Sequence, residues 1–211
     1  MTAVQIVGRS SSHYTRFPRL FAEELSVPYE LVVIHDMTAL GPEVYASNPA
    51  LKQPILRRNG TVLFGAQNIC RALAEMSTKP LEIVWPEDVR DDLSRNAQEL
   101  VWHCMSAQVQ LVMGTVVSKL PADNVYFTKA RAGIENSLKW LDTHLADVLR
   151  ALPARRDLSN FEASLFCLIE HFVFRQTIPV ESYRQLGGFV REFGQRASAK
   201  NTTYRVDPPP K

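Results

Sequence analysis

Apolar residues fall into two rhythms along this chain, and the rhythm changes near residue 80. Ala3-Val-Gln-Ile-Val7 is a short run rich in β-branched residues that ends at Gly8, which predicts a buried strand. After Ser10-Ser-Ser12, Phe17, Leu20, Phe21 and Leu25 recur at helical spacing with Glu23 and Glu24 between them, and Pro28 closes that helix. Tyr29 to Ile34 predicts a second strand, so the opening is a β-α-β unit with a parallel pair. Pro54-Ile-Leu-Arg-Arg58 and Thr61-Val-Leu-Phe64 flank Asn59-Gly60, whose tolerance of positive φ suits the type I′ turn of a hairpin. A helix from about Ala66 to Glu75 completes a small four-stranded α/β layer.

From Pro86 onward the pattern predicts helices and no strand. Leu93, Ala97, Leu100, Val101, Met105, Val109, Val112 and Val116 mark a long helix within Asp88 to Lys119. Pro121 starts another, through Phe127, Ile134, Leu138, Leu141 and Leu145. Ser159-Asn-Phe-Glu162 is a capping box, in which Ser159 accepts from the Glu162 amide while Glu162 reaches back. The helix it opens, to Phe174, is apolar over most of its circumference and is expected at the centre of a bundle. A last helix covers about Glu181 to Phe193, and the tail from Val206 to Lys211 is expected extended and on the surface. The stretch from Met76 to Glu87, with Pro80 and Pro86, reads as a linker between an α/β domain at 1–77 and an all-helical domain at 87–211.

Composition narrows the function classes. The 211 residues carry 24 Lys+Arg against 22 Asp+Glu, a formal net charge of +2, and 45% hydrophobic residues, as in a soluble globular protein. Scattered, near-balanced charge argues against a nucleic-acid partner. No apolar run approaches the roughly 20 residues of a membrane span, and the segment from Met1 to Ser12 lacks the features of a leader, so a cytoplasmic location is expected. Cys70, Cys104 and Cys167 are odd in number and far apart, so free buried thiols are expected and no metal site. The five histidines are dispersed, and no H-E-x-x-H, P-loop or G-x-G-x-x-G occurs.

Asn48-Pro-Ala-Leu-Lys-Gln-Pro54, Phe17-Pro-Arg-Leu-Phe-Ala-Glu-Glu-Leu-Ser-Val-Pro-Tyr-Glu30 and Leu63-Phe-Gly-Ala-Gln-Asn-Ile69 stand in the order and spacing of N-P-x-x-K-V-P, a helix ending G-I-P-Y-E, and L-x-E-S-x-A-I. With the Ser159–Glu162 box and Arg131 to Asp147, which looks like a bacterial helix pattern ending L-D-x-x-L-A, the chain resembles the cytosolic glutathione transferase superfamily over its whole length. The resemblance implies a thioredoxin-like, glutathione-binding N-terminal domain, an all-helical C-terminal domain that forms the substrate pocket, and a homodimer. It also implies an enzyme of detoxification that conjugates glutathione, as co-substrate, to a small hydrophobic electrophile.

The resemblance assigns roles by position. Pro54 would be a cis-proline opening a strand, leaving the main chain of Gln53 to pair with the cysteinyl part of glutathione, and Lys52 would either meet the glycine carboxylate or simply be solvated. Counting back from Pro28-Tyr29-Glu30 puts Ser12 at the catalytic position, where a hydroxyl at a helix N-terminus favours the glutathione thiolate. Ser12 is equally suited to be a plain N-cap, and Ser10, Ser11 and Tyr14 remain alternatives for the group facing the thiol, with Ser11 also counted among the binding residues. The electrophile pocket is expected between the domains, near Trp102, His103, Met105, Ser106 and Val109, though ordinary helix packing is the commoner role for each of these residues.

One departure bears on affinity. Gly65-Ala66 replaces the Glu-Ser pair whose side chains hold the γ-glutamyl group, leaving helix amides and Gln67 to do so. A hydrogen bond lost to a charged group costs about 1.5–3 kcal/mol, or tenfold or more in affinity. Two further readings stay open: a non-catalytic binding protein on the transferase fold, and a zeta-like glutathione-dependent isomerase suggested by Arg9-Ser-Ser-Ser12. An omega-like disulfide reductase is disfavoured, because no Cys precedes residue 70.

Overall fold

The computed structural model describes residues 4–210. Met1 to Ala3, the head of the segment read above for a leader and for the first strand, lie outside the described residues, as does Lys211. By packing, the described chain separates into one unit of residues 4–80 with 195–210 and a second of 81–194.

The first unit is built on strands β1 (Val4–Gly8), β2 (Tyr29–Val33), β3 (Ile55–Arg58) and β4 (Thr61–Phe64), in the order β2-β1-β3-β4. β1 pairs with β2 in parallel, while β3 is antiparallel to both β1 and β4. Asn59 (φ 47°) and Gly60 (φ 74°) make the β3–β4 turn with the two positive φ angles that the Asn-Gly pair predicts. Helices α1 (His13–Glu24) and α2 (Ala66–Met76) pack on each other, α1 also on β1 and α2 on β3 and β4. Phe17, Leu20 and Phe21 of α1 are fully buried, which is the stripe of the sequence pattern. Val7 and Ile55 lie with Ile34, Tyr45 and Ala46 in a small core that Val32, Met37 and Phe64 border. This is the thioredoxin-like arrangement.

The second unit holds α3 (Asp92–Leu111), α4 (Val125–Ala151), α5 (Asn160–Arg175) and α6 (Arg184–Phe193). α3 packs on α4 and α5, and α6 on α4 and α5. α5 is buried along most of its length, as its near-uniform apolarity predicts. α3 runs on into a π-helical turn, Val112–Val117, where Ser118 donates to the Met113 carbonyl at 2.9 Å. Gly114 admits the Phe127 ring there: a Cβ at residue 114 would lie 2.2 Å from it. The segment Asp92–Val117 has the length and, at 1.3, the mean hydropathy of a membrane span by composition alone, with 33% of its most apolar window buried.

Two details differ from the sequence pattern. The stretch read as a linker contains a strand, β5 (Ile83–Val84), parallel to β6 (Leu158–Ser159). Two residues carry no readable period, and what fixes them is remote, since Glu82 accepts from the Asp157 amide at 2.8 Å. At the capping box, Ser159 accepts from the Glu162 amide at 3.0 Å as expected. The Glu162 carboxylate, however, takes the Ser159 hydroxyl at 2.6 Å and the Arg156 guanidinium at 2.9 and 3.1 Å rather than the Ser159 amide. A bidentate arginine is a stronger partner for a carboxylate than a lone amide.

Helix α7 (Ala197–Asn201) and the residues beyond it pack against α1 in the first unit. The tail is accordingly less superficial than its proline-rich composition suggests. Val206 is exposed, whereas Asp207 is buried.

Candidate functional site

The end of the sheet where β1 stops gathers the candidate residues of the first unit. Val7 pairs with Ile55, and Ile55 pairs with Phe64, so Gly8, Pro54 and Gly65 follow one another at the same edge of the register. Ser12 lies four residues beyond Gly8 and caps α1: its Oγ accepts the Thr15 amide at 3.3 Å, with extended backbone (φ −104°, ψ 127°). That satisfies one of the orphan amides at the helix start. The Ser12 hydroxyl makes no other hydrogen bond among the described residues, so its proton is available to an acceptor at the positive end of α1.

Burial separates the alternatives left open by the sequence. Ser10 is 0% and Ser11 3% exposed, whereas Ser12 is only partly buried. Tyr14 is also partly buried, and burial pushes its phenol up to about 12. His13 is buried with its ring 4.8 Å from that of Tyr14.

The loop before β3 is built by Asn48. Its side chain donates to the Lys52 carbonyl at 2.7 Å and accepts the Ala50 amide at 3.0 Å, bracing the turn that delivers Gln53 and Pro54. The Gln53–Pro54 peptide bond is cis. Gln53 carries no main-chain hydrogen bond among the described residues, while its side chain is engaged. Its Oε1 accepts from Thr15 at 3.4 Å, and its Nε2 reaches the Met37 sulfur at 3.5 Å. Lys52 is exposed and makes no ion pair among the described residues.

At the same end of the register, Gly65 is the N-cap of α2, with φ +90° and no side-chain cap. The first amides of α2 are therefore uncapped, which suits an anionic group. Ala66 is buried, and Gln67 is partly buried with no side-chain partner among the described residues. Ser12, Gln53, Pro54, Gly65, Ala66 and Gln67 are thus brought to one end of one sheet, with Lys52 beside them.

Two of the residues that the sequence placed on the long helix as pocket lining differ in exposure. Met105 is fully buried in the helical core, and His103 is exposed and lies 3.0 Å from Glu99. Cys70, Cys104 and Cys167 are buried and form no disulfide among the described residues. Among the described residues no cluster of three His, Cys, Asp or Glu side chains is placed to hold a metal ion.

Two contributions escaped the sequence reading. Gln53 fastens the cis-proline loop to α1, and Asp207 reaches the Ser10 amide from the far end of the chain. Nothing in the local sequence of either residue signals its partner.

Residues 11–76 match the glutathione S-transferase N-terminal domain family. A search of curated protein sequences found no match. Among solved structures, the chain is similar to a glutathione S-transferase from Methylobacillus flagellatus KT with glutathione bound, at 20% identity and a TM-score of 0.74, over 96% of this chain and 100% of that one. It is similar to one from Methylobacterium radiotolerans JCM 2831 in complex with glutathione sulfonate, at 18% identity and a TM-score of 0.75, over 100% and 99%. It is also similar to a glutathione transferase family member from Pseudomonas fluorescens Pf-5 with bound glutathione, at 20% identity and a TM-score of 0.75, over 97% and 100%. Residues 11–76 thus match a glutathione S-transferase N-terminal domain, and the chain as a whole shares the fold of these solved glutathione transferases.

Proposed function

We propose that the chain is a glutathione transferase, binding glutathione at this end of the sheet and presenting its sulfur to the Ser12 hydroxyl. The observation that carries this reading is the state of Ser12. One lone pair caps α1, and the O–H remains to donate to a thiolate. The Gln53 main chain would pair with the cysteinyl group, Lys52 would meet the glycine carboxylate, and the α2 amides with Gln67 would hold the γ-glutamyl end. In the reaction the thiol proton leaves to solvent, and the thiolate forms a carbon–sulfur bond to a small hydrophobic electrophile. The leaving group departs with its bonding electrons. Only the thiolate is a competent nucleophile, so stabilising it at neutral pH is the catalytic contribution of Ser12. On the same fold likeness we read a cytoplasmic homodimer.

The test is calorimetric titration with glutathione, followed by turnover of a generic aryl halide. Binding in the millimolar range or tighter, with turnover that drops about ten- to a hundredfold in Ser12→Ala, is the expected result. No heat of binding at millimolar glutathione would sink the reading.

A second reading, a non-catalytic binding protein, is favoured by Gly65 and Ala66, which offer no side-chain partner to the γ-glutamyl group. Binding without turnover decides for it.

A further inference from the structure

The turn that carries Ser12 is held by a residue from the other end of the sequence. Ser10 donates its amide to the Asp207 carboxylate at 2.9 Å, across 197 residues. The contact is buried, since the Asp207 side chain is 2% exposed and Ser10 0%. The accepting oxygen also lies 3.9 Å from Arg9 Nε, which balances its charge. Residues 9 to 12 form a turn closed by the Ser12 amide donating to the Arg9 carbonyl at 3.2 Å. The turn is therefore fastened twice, once by its own main chain and once by Asp207.

The tail is led to this point along α1. Arg196 and Ser198 donate to the Glu24 carboxylate at 3.1 and 2.5 Å, and Asn201 donates to Glu23 at 2.8 Å. Arg16, itself buried, donates to the Ala199 carbonyl at 3.1 Å and to Thr202 at 3.4 Å, with its guanidinium 4.4 Å from the centre of the Tyr204 ring. A string of anchors of this kind spends little further chain entropy in placing Asp207.

We propose that Asp207 is a positioning residue for Ser12, fixing the 9–12 turn so that the Ser12 hydroxyl sits at the start of α1. The physical ground is the cost of the alternative. A buried amide deprived of its acceptor is strongly disfavoured, so the turn without Asp207 rearranges to find another partner or water. The consequence for a bound thiol rests on the glutathione transferase reading, whereas the placement of the turn does not.

The experiment measures amide exchange by NMR on the full chain, in the wild type, Asp207→Ala and Asp207→Asn, alongside turnover of an aryl halide with glutathione. Asp207→Ala is expected to lower protection at Ser10 and Ser12 by about tenfold or more, with the mid-α1 amides of Phe17 to Leu20 within about threefold. Asp207→Asn keeps an oxygen acceptor and restores most of both protection and turnover, which a loss of bulk stability would not produce. Unchanged protection at Ser10 in Asp207→Ala overturns the proposal, and so does a uniform loss along α1. If Asp207→Ala does not fold, the isosteric Asp207→Asn still reports: a neutral acceptor moves the Ser10 amide proton upfield, and an unmoved resonance overturns the contact. A wild type that binds no glutathione, with Ser10 protection lost in Asp207→Ala, sinks the transferase reading and leaves the positioning role standing. Full turnover in Asp207→Ala despite lost protection overturns the role of Asp207 in placing Ser12.

Discussion

Thr15 donates its hydroxyl to the side-chain oxygen of Gln53 at 3.4 Å, and both side chains lie against the bare Cα of Gly8. A Cβ at residue 8 would sit 2.4 Å from Thr15 Oγ1 and 3.1 Å from Gln53 Oε1. The end of the first strand, the first turn of α1 and the cis-proline loop thus meet where there is no room for a methyl group. Gly8→Ala is expected to lower stability by about 1–3 kcal/mol in thermal unfolding. Adding Thr15→Ala removes the two nearest atoms, Thr15 Oγ1 at 2.4 Å and Cγ2 at 2.7 Å, and should recover more than half of that loss. Strictly additive effects in the double mutant would show that the two residues do not share the space.

Ser12 has two roles that different substitutions separate. Ser12→Ala removes the cap and should cost about 1 kcal/mol, while Ser12→Gly should cost only a few tenths. Both remove the hydroxyl, so both should lose about ten- to a hundredfold in glutathione turnover. Urea unfolding and steady-state rates on the two variants check this. If turnover follows stability from one variant to the other, the hydroxyl is a cap and nothing more.

The weak point of the proposed glutathione site is also the easiest to repair. Ala66 occupies the first turn of α2 with ordinary helical backbone, so Ala66→Ser adds a hydroxyl without strain. Glutathione affinity by calorimetry should rise about tenfold. Gly65→Glu is a different matter, since φ of +90° is a region that side chains avoid. It should destabilise the protein by about 1 kcal/mol or more, whatever it does for binding. Unchanged affinity in Ala66→Ser would place the γ-glutamyl group elsewhere.

Alkaline pH should loosen each unit through one buried group. Burial pushes the Tyr14 phenol from 10.0 to about 12. Burial likewise pushes the Cys104 thiol from 9.0 to about 11, against a smaller opposing hydrogen bond from Ser137. Both groups hold their proton more tightly when folded, so the unfolded chain releases it first. Their contribution is intact below pH 9 and is lost as pH rises, between about 9 and 11 for Cys104 and between about 10 and 12 for Tyr14. Urea unfolding from pH 8 to 12 measures the decline, and Tyr14→Phe should flatten its upper part. A stability unchanged across that range contradicts the burial of both groups.

What the sequence reveals here is what neighbours in sequence decide between themselves. Asn59-Gly60 names its own turn, Ser159 and Glu162 name a cap, and the spacing of Phe17, Leu20 and Phe21 names a buried face. The missing side chains at Gly65 and Ala66 are equally plain. Hidden are the features whose cause lies far along the chain. β5 and β6 are two residues each, too short for any period, and exist because they find each other. Arg156 shares the Glu162 carboxylate with the Ser159 hydroxyl, where the local motif would send it to the Ser159 amide. Asp207, set in a proline-rich tail that reads as extended and exposed, is buried on a partner 197 residues away. Local propensity describes the tail's conformation correctly and is silent on what it touches.

The return of the tail to α1 has a consequence for biosynthesis. Strands β1 to β4 with α1 and α2 leave the ribosome early, but the acceptors for Arg16 at Ala199 and Thr202 follow it by 183 and 186 residues, and the Tyr204 ring beneath its guanidinium comes later still. Until then a cation destined for 1% exposure lacks these partners, and the flank of α1 that α7 covers stays bare. A nascent or prematurely ended chain is marked by that uncovered flank, open to proteases and chaperones that a finished molecule escapes.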